Sequence, residues 1–140
     1  MLVNRVTGWL ILSMLVACDE KPYLGNVDCS ECYQDKPSEC LLSVDLTLPA
    51  TGRGVPLVIY RGNVEDGQVE RIDTAYWTPY EHWAAIDHEY SVRAEYFVNN
   101  ATVYVVDGTK AELRVSNDCD TQCYVIVNTG MDARLNEKFP

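Results

Sequence analysis

The sequence lacks the short motifs that accompany common catalytic chemistries. It contains no Gly-x-Ser-x-Gly nucleophile elbow, no His-Glu-x-x-His metal-binding helix and no glycine-rich phosphate-binding loop. Only two histidines are present. These absences favour a protein without enzymatic activity, and no cofactor is expected.

Basic residues are also scarce. Lys and Arg total 11 against 21 Asp and Glu, which gives a formal net charge of −10. Nucleic acids and anionic lipid surfaces both reward basic patches, so neither is expected as an electrostatic partner. An acidic surface favours solubility, with cation binding as the alternative.

Long apolar runs are missing except near the N-terminus, where Arg5 precedes the uncharged stretch from Trp9 to Ala17. This stretch is too short for a transmembrane helix, which needs about 20 apolar residues. A positive residue followed by a short apolar run is typical of a secretory signal peptide. A buried core helix is the alternative, but the abrupt change to polar residues after Cys18 argues against it.

The end of the apolar run, Leu15-Val16-Ala17-Cys18, resembles the lipobox of bacterial lipoprotein precursors. The resemblance implies that residues 1–17 are cleaved and that Cys18 carries diacylglycerol and an acylated amine. Membrane lipid is then a partner through Cys18, because two or three acyl chains anchor a protein stably. Asp19-Glu20 resembles an inner-membrane retention signal of enterobacteria or a surface-export signal of Bacteroidetes. We expect the cell envelope, at the outer membrane or cell surface, facing outside the cytoplasm.

Five cysteines remain after Cys18, and disulfides are their expected state outside the cytoplasm. Cys119 and Cys123 are close in sequence, but extended chain would separate their Cα atoms by about 13 Å, so bridging them would require a turn. An odd number leaves one thiol unpaired, and the sequence does not choose the pairing. The disulfide candidates are Cys29, Cys32, Cys40, Cys119 and Cys123.

Two other uses of these thiols are weaker. Cys29-x2-Cys32 has the spacing of a zinc ligand pair, with Cys40 or the later cysteines completing a site, but a second such pair is missing. A redox-active Cys-x-x-Cys motif would be followed by a helix within a βαβ unit, and no such pattern follows Cys32. No metal is therefore assigned.

The remainder of the chain divides into two parts. Residues 18–40 contain turn-forming residues without apolar periodicity, which indicates a tether that its cysteines attach locally or to the domain. Residues 41–140 show period-two alternation, clearest in Leu42, Val44 and Leu46 and again from Tyr90 to Tyr96. The pattern predicts an all-β antiparallel sandwich of about seven to nine strands. The predicted strands span 41–48, 55–60, 68–74, 90–96, 102–106, 111–115, 124–127 and 131–135.

The strand at 90–96, the following strand, the Cys-x3-Cys-Tyr segment at 119–124 and a short last strand together resemble small lipoproteins of Bacteroidetes. The resemblance covers roughly residues 41–135 and implies a transthyretin-like or immunoglobulin-like sandwich. It implies no particular activity and no catalytic residues.

The stretch 76–83, Tyr-Trp-Thr-Pro-Tyr-Glu-His-Trp, concentrates four aromatic residues. Rings of Trp77, Tyr80 and Trp83 could stack on a glycan or aromatic ligand, with Glu81 and His82 supplying hydrogen bonds. The favoured alternative is structural: Trp77 and Trp83 close the end of the sandwich, and Tyr76 and Tyr80 cover a sheet edge.

The histidines have a similar pair of interpretations. His82 could act as a base, or could hold a metal with Asp87 and His88. Both histidines fall in or near a predicted surface loop, so solvated surface residues are favoured.

Together these features predict a lipid-anchored, non-enzymatic accessory or interaction module with an unknown protein or glycan partner. One alternative is a glycan- or small-ligand-binding lipoprotein that uses residues 76–83. Another is a thiol or metal protein that uses Cys29, Cys32 and Cys40.

Overall fold

The computed structural model describes residues 27–136, so Cys18 and the predicted signal peptide lie outside the described residues. Within this range no helix is long and apolar enough to cross a membrane. A single 3-10 turn, Cys29–Glu31, precedes the strands. The strands are β1 Glu39–Asp45, β2 Val55–Arg61, β3 Gln68–Ala75, β4 Tyr80–Ala85, β5 Glu89–Val98, β6 Ala101–Lys110, β7 Glu112–Ser116, β8 Cys123–Val127 and β9 Gly130–Asp132.

The strands form two main sheets and a hairpin. The smaller sheet has the order β4-β1-β9, the larger has the order β3-β2-β5-β6, and β7 pairs with β8. Every pairing is antiparallel except that of β1 with β9. This arrangement confirms the predicted all-β sandwich.

The core lies between the two sheets and follows the predicted alternation. Leu42 and Val44 of β1 and Val92 and Ala94 of β5 are fully buried. Side chains of successive strand residues point to opposite faces, so one face of each sheet supplies the core. Members of both sheets belong to one continuous cluster of buried apolar residues. Fully burying a Leu or Val side chain contributes roughly 1.5–3 kcal/mol.

The structure corrects several predicted boundaries. β1 begins at Glu39, two residues before the predicted start of the first strand, and ends at Asp45, short of the predicted end at residue 48. β6 is longer than predicted, and β9 is only three residues long. The predicted strand at 131–135 is therefore mostly irregular chain, which β1 holds through the hydrogen bond from Ala133 N to Asp45 O, 3.0 Å.

Strand β4 was not predicted, because its side chains do not alternate cleanly between apolar and polar. Its backbone pairs with β1 along its whole length, from Val44 opposite Tyr80 to Glu39 opposite Ala85. Backbone hydrogen bonds to a central strand define β4, so the polarity of its side chains need not follow a period of two. The interpretation of this segment as a surface loop was wrong.

Candidate functional sites

The aromatic stretch 76–83 spans a turn and the beginning of β4. The Thr78-Pro79 peptide bond in this turn is cis. The hydroxyl of Thr78 accepts a hydrogen bond from the backbone N–H of Leu46, 3.0 Å away. The turn is thereby attached to the chain that follows β1.

The structure divides the predicted aromatic platform between different surfaces. Tyr80 is only 7% exposed, and it lies opposite Val44 on the buried side of the smaller sheet. Trp83 lies opposite Leu41 on the outer side of that sheet and is 65% exposed. Trp77 is 62% exposed in the turn. Tyr80 therefore cannot stack on a ligand beside these two indoles, and the alternative in which Trp77 and Trp83 close the sandwich was also wrong.

Tyr80 instead takes part in a polar network that joins the two sheets. Its hydroxyl donates to Asp73 Oδ2 over 2.9 Å, and Arg71 Nη2 donates to the same oxygen over 2.7 Å. The other carboxylate oxygen accepts from Thr74 N, 2.8 Å away. The guanidinium and these additional donors lower the pKa of Asp73 to about 2. The network fixes the edge strand β3 against β4.

We expect Asp73→Asn to reduce the loss of stability in acid. The folded-state pKa of Asp73 lies below its ordinary value of 3.8, so this carboxylate stabilises the fold above about pH 4. That contribution disappears as the pH falls from about 4 to about 2, where the carboxyl becomes protonated. Urea denaturation at several pH values should show a shallower fall in the free energy of unfolding across this window for the variant. Glu81→Gln, which removes an exposed carboxylate, serves as the control. If the free energy of unfolding depended on pH equally in Asp73→Asn and in the wild type, the proposed role of the network would be contradicted.

The histidine residues do not converge on a shared site. His82 is half-buried on β4, opposite Leu42, and burial lowers its pKa because it disfavours the charged imidazolium. Within residues 27–136 no hydrogen-bond partner contacts its buried Nε2. Asp87 occupies a turn with a φ of 66°, and His88 is exposed beside it. The ligand atoms of these three residues are not grouped closely enough in the described structure to share an ion.

The cysteines form two disulfides that join the chain before β1 to the hairpin β7-β8. Cys29 bonds to Cys119 and Cys32 bonds to Cys123, with Cα–Cα distances of 5.8 and 5.5 Å. The expectation of disulfides is confirmed, and the local bridge between Cys119 and Cys123 is not formed. These bonds attach the C-terminal part of the predicted tether to the domain.

Cys40 is the thiol left over. It is buried in the core on β1, opposite Ala84, and burial raises its pKa. It does not belong to the cluster of the other four sulfur atoms. The prediction that Cys40 shares a site with Cys29 and Cys32 was therefore wrong.

Sequence reasoning missed the outer face of the larger sheet, which carries exposed apolar side chains. Ile72 and Phe97 are each 71% exposed, and Tyr104 is 54% exposed. Between them, the guanidinium of Arg93 lies over the rings of Tyr60 and Tyr104, 5.9 and 5.1 Å from their centroids. The sequence did contain a signal for this exposed face. β6 carries aromatic and β-branched residues on both of its faces, whereas the solvated face of a strand is usually polar.

No protein-family model, curated protein or solved structure matches the chain. The described structure offers two distinctive features: the four-cysteine connection between the N-terminal segment and the hairpin β7-β8, and the exposed apolar face of the larger sheet.

Proposed function

We propose that the protein is a non-enzymatic accessory or interaction module anchored to the bacterial cell envelope through acylated Cys18. The observation that carries the proposal is the pair of disulfides at Cys29 and Cys32, the first cysteines after the lipobox. Disulfides form and persist in oxidising compartments outside the cytoplasm, which is where a lipoprotein signal would deliver the chain.

The position of the first cross-link supports a domain close to the membrane. The chain from Cys18 to Cys29 can span at most about 40 Å when fully extended. An acylated Cys18 would therefore hold the sandwich within that distance of the lipid surface. The excess of acidic residues fits this placement, because it opposes adhesion of the domain to anionic lipid.

The exposed outer face of the larger sheet supports a role in interaction. Exposed apolar side chains that share one face of a sheet often mark an interaction site. Ile72, Tyr104 and Val106 are all more than half exposed, at 71%, 54% and 51%. Ile72 and Val106 lie opposite Val58 and Arg93, respectively, so they belong to the same face of the sheet.

Acylation of Cys18 is the direct test. Cells that express the full chain and receive an alkyne-bearing fatty acid should label the wild-type protein, and intact mass should show the acyl groups on a chain that begins at Cys18. Cys18→Ala should abolish the label completely, because it removes the acylated atom. Labelling is the preferred measurement, since an uncleaved signal segment could keep the variant in the membrane fraction.

Cys40→Ala is the matched control for this experiment. It removes another cysteine, the buried thiol of β1, and should leave acylation unchanged. An unlabelled wild-type protein, or equal labelling of Cys18→Ala and wild type, would overturn the proposed anchoring.

A further inference from the structure

Four sulfur atoms converge where the N-terminal segment meets the hairpin β7-β8. Cys29 and Cys32 lie at the start of and just after the 3-10 turn, Cys119 lies in the loop after β7, and Cys123 opens β8. The sulfurs of Cys32, Cys119 and Cys123 all lie within 4.8 Å of one another. Cys29 is bonded to Cys119, so its sulfur adjoins the same group.

The spacing of these sulfurs suits a tetrahedral metal. One of the four unbonded sulfur pairs, Cys32 Sγ and Cys119 Sγ, is 3.8 Å apart. A zinc ion with Zn–S bonds of about 2.3 Å places its four sulfurs about 3.8 Å from each other. One edge of such a tetrahedron is therefore present already, and each bonded pair would have to separate by only about 2 Å.

The backbone that carries the four cysteines is held by hydrogen bonds as well as by the disulfides. Tyr33 N donates to Tyr124 O over 2.9 Å, and Tyr124 N donates to Tyr33 O over 2.8 Å. These residues directly follow Cys32 and Cys123 in the chain. On the other side, the carboxylate of Asp28 accepts from Ser30 N over 2.9 Å and caps the turn. The two hydrogen bonds between Tyr33 and Tyr124 join the segments directly beside the sulfur atoms.

We propose that the reduced protein binds one zinc-type ion through Cys29, Cys32, Cys119 and Cys123. The four cysteines then join the N-terminal segment to the hairpin β7-β8 in two ways. They form two disulfides under oxidising conditions and a tetrathiolate metal site under reducing conditions. Acidic residues on both segments, including Glu31 and Asp120, favour the approach of a divalent cation. The inference goes beyond the proposed function and does not depend on acylation of Cys18.

Two molecules of a dithiol reductant each give two electrons and two protons to one protein disulfide and become cyclic disulfides themselves. The protein then carries four additional thiols. Binding of Zn²⁺ to these sulfurs displaces their four protons, so affinity must weaken as the pH falls.

Cobalt is the probe for this site, because tetrahedral Co²⁺ bound by thiolates absorbs strongly in the visible region. The full chain in detergent, reduced with a phosphine under anaerobic conditions, is titrated with Co²⁺ and then with Zn²⁺. We expect one Co²⁺ per chain, a tetrahedral thiolate spectrum that Zn²⁺ abolishes, and strand content by circular dichroism equal to that of the oxidised protein.

Two variants separate this site from other thiols. Cys119→Ser should lose the tetrathiolate spectrum and bind Co²⁺ at least about tenfold more weakly. Cys40→Ala should bind as wild type does, because Cys40 lies in the core on β1. Absence of Co²⁺ binding by the reduced wild type, an octahedral spectrum, or equal binding by Cys119→Ser would overturn the proposal. So would a reduced chain that loses its strand content and does not regain it with Co²⁺.

Discussion

Replacing all four cross-linked cysteines by alanine is expected to lower the free energy of unfolding by about 7 kcal/mol, whereas removing either pair alone should cost only about 2.5 kcal/mol. The two bonds join residues 90 and 91 positions apart, so both close nearly the same long loop. Closing that loop once lowers the entropy of the unfolded chain and raises the free energy of unfolding by about 4.5 kcal/mol. The second bond closes only the small ring formed by residues 29–32 and 119–123, worth about 2.5 kcal/mol.

Urea denaturation followed by circular dichroism measures these differences. The variants are Cys29→Ala/Cys119→Ala, Cys32→Ala/Cys123→Ala and the quadruple substitution. Domains are typically stable by about 5–15 kcal/mol, so the quadruple variant is expected to be close to unfolding at room temperature. A loss in the quadruple variant that merely equals the sum of the losses in the two double variants would show that the bonds act through contacts in the folded state rather than through loop closure.

Tyr96→Phe is expected to lower the free energy of unfolding by about 2–4 kcal/mol, because it leaves two backbone groups without their hydrogen-bond partner. The Tyr96 hydroxyl donates to the carbonyl oxygen of Ala133 over 2.7 Å and accepts from Thr47 N over 3.2 Å. Tyr96 is 4% exposed, so water cannot readily replace the lost bonds. Its single hydroxyl thereby connects β5 to the segments that follow β1 and β9.

Tyr104→Phe is the matched control for this substitution. It removes the same atom from the neighbouring strand β6, where the ring is 54% exposed, and should change stability by less than about 0.5 kcal/mol. Hydrogen exchange adds a local measurement: the amide of Thr47 should lose protection in Tyr96→Phe and keep it in Tyr104→Phe. If the two variants lost the same free energy of unfolding, the buried hydroxyl of Tyr96 would have no special role in stability.

The parts of the fold that were predictable are those in which one strand face is buried and the other is solvated. β1 and β5 satisfy this condition, and their alternating residues were identified correctly as core. β4 also has a buried and a solvated face, but its side chains do not match them, because the apolar Trp83 is 65% exposed while His82 is half-buried towards the core. Such a strand is recognised only through its pairing with β1, which is a tertiary property.

The candidate sites were less predictable than the fold. Spacing along the chain showed that five cysteines were available, but the distance between Cys32 and Cys123 exists only after the hairpin β7-β8 has packed against the N-terminal segment. The aromatic stretch was conspicuous in sequence, yet the alternation of strand β4 sends Tyr80 into the core and leaves Trp83 outside. Composition locates aromatic residues, and only the fold decides which of them share a surface.

The two disulfides also determine how the domain carries mechanical load. Tension applied from the N-terminal side enters the domain at Cys29 and passes directly into the loop at Cys119. Because Cys32 is bonded to Cys123, the chain between the two cross-linked regions, which contains β1 through β7, is bypassed. Tension on the N-terminal segment is therefore transmitted to the hairpin β7-β8 through covalent bonds rather than through the pairing of β1 with β4.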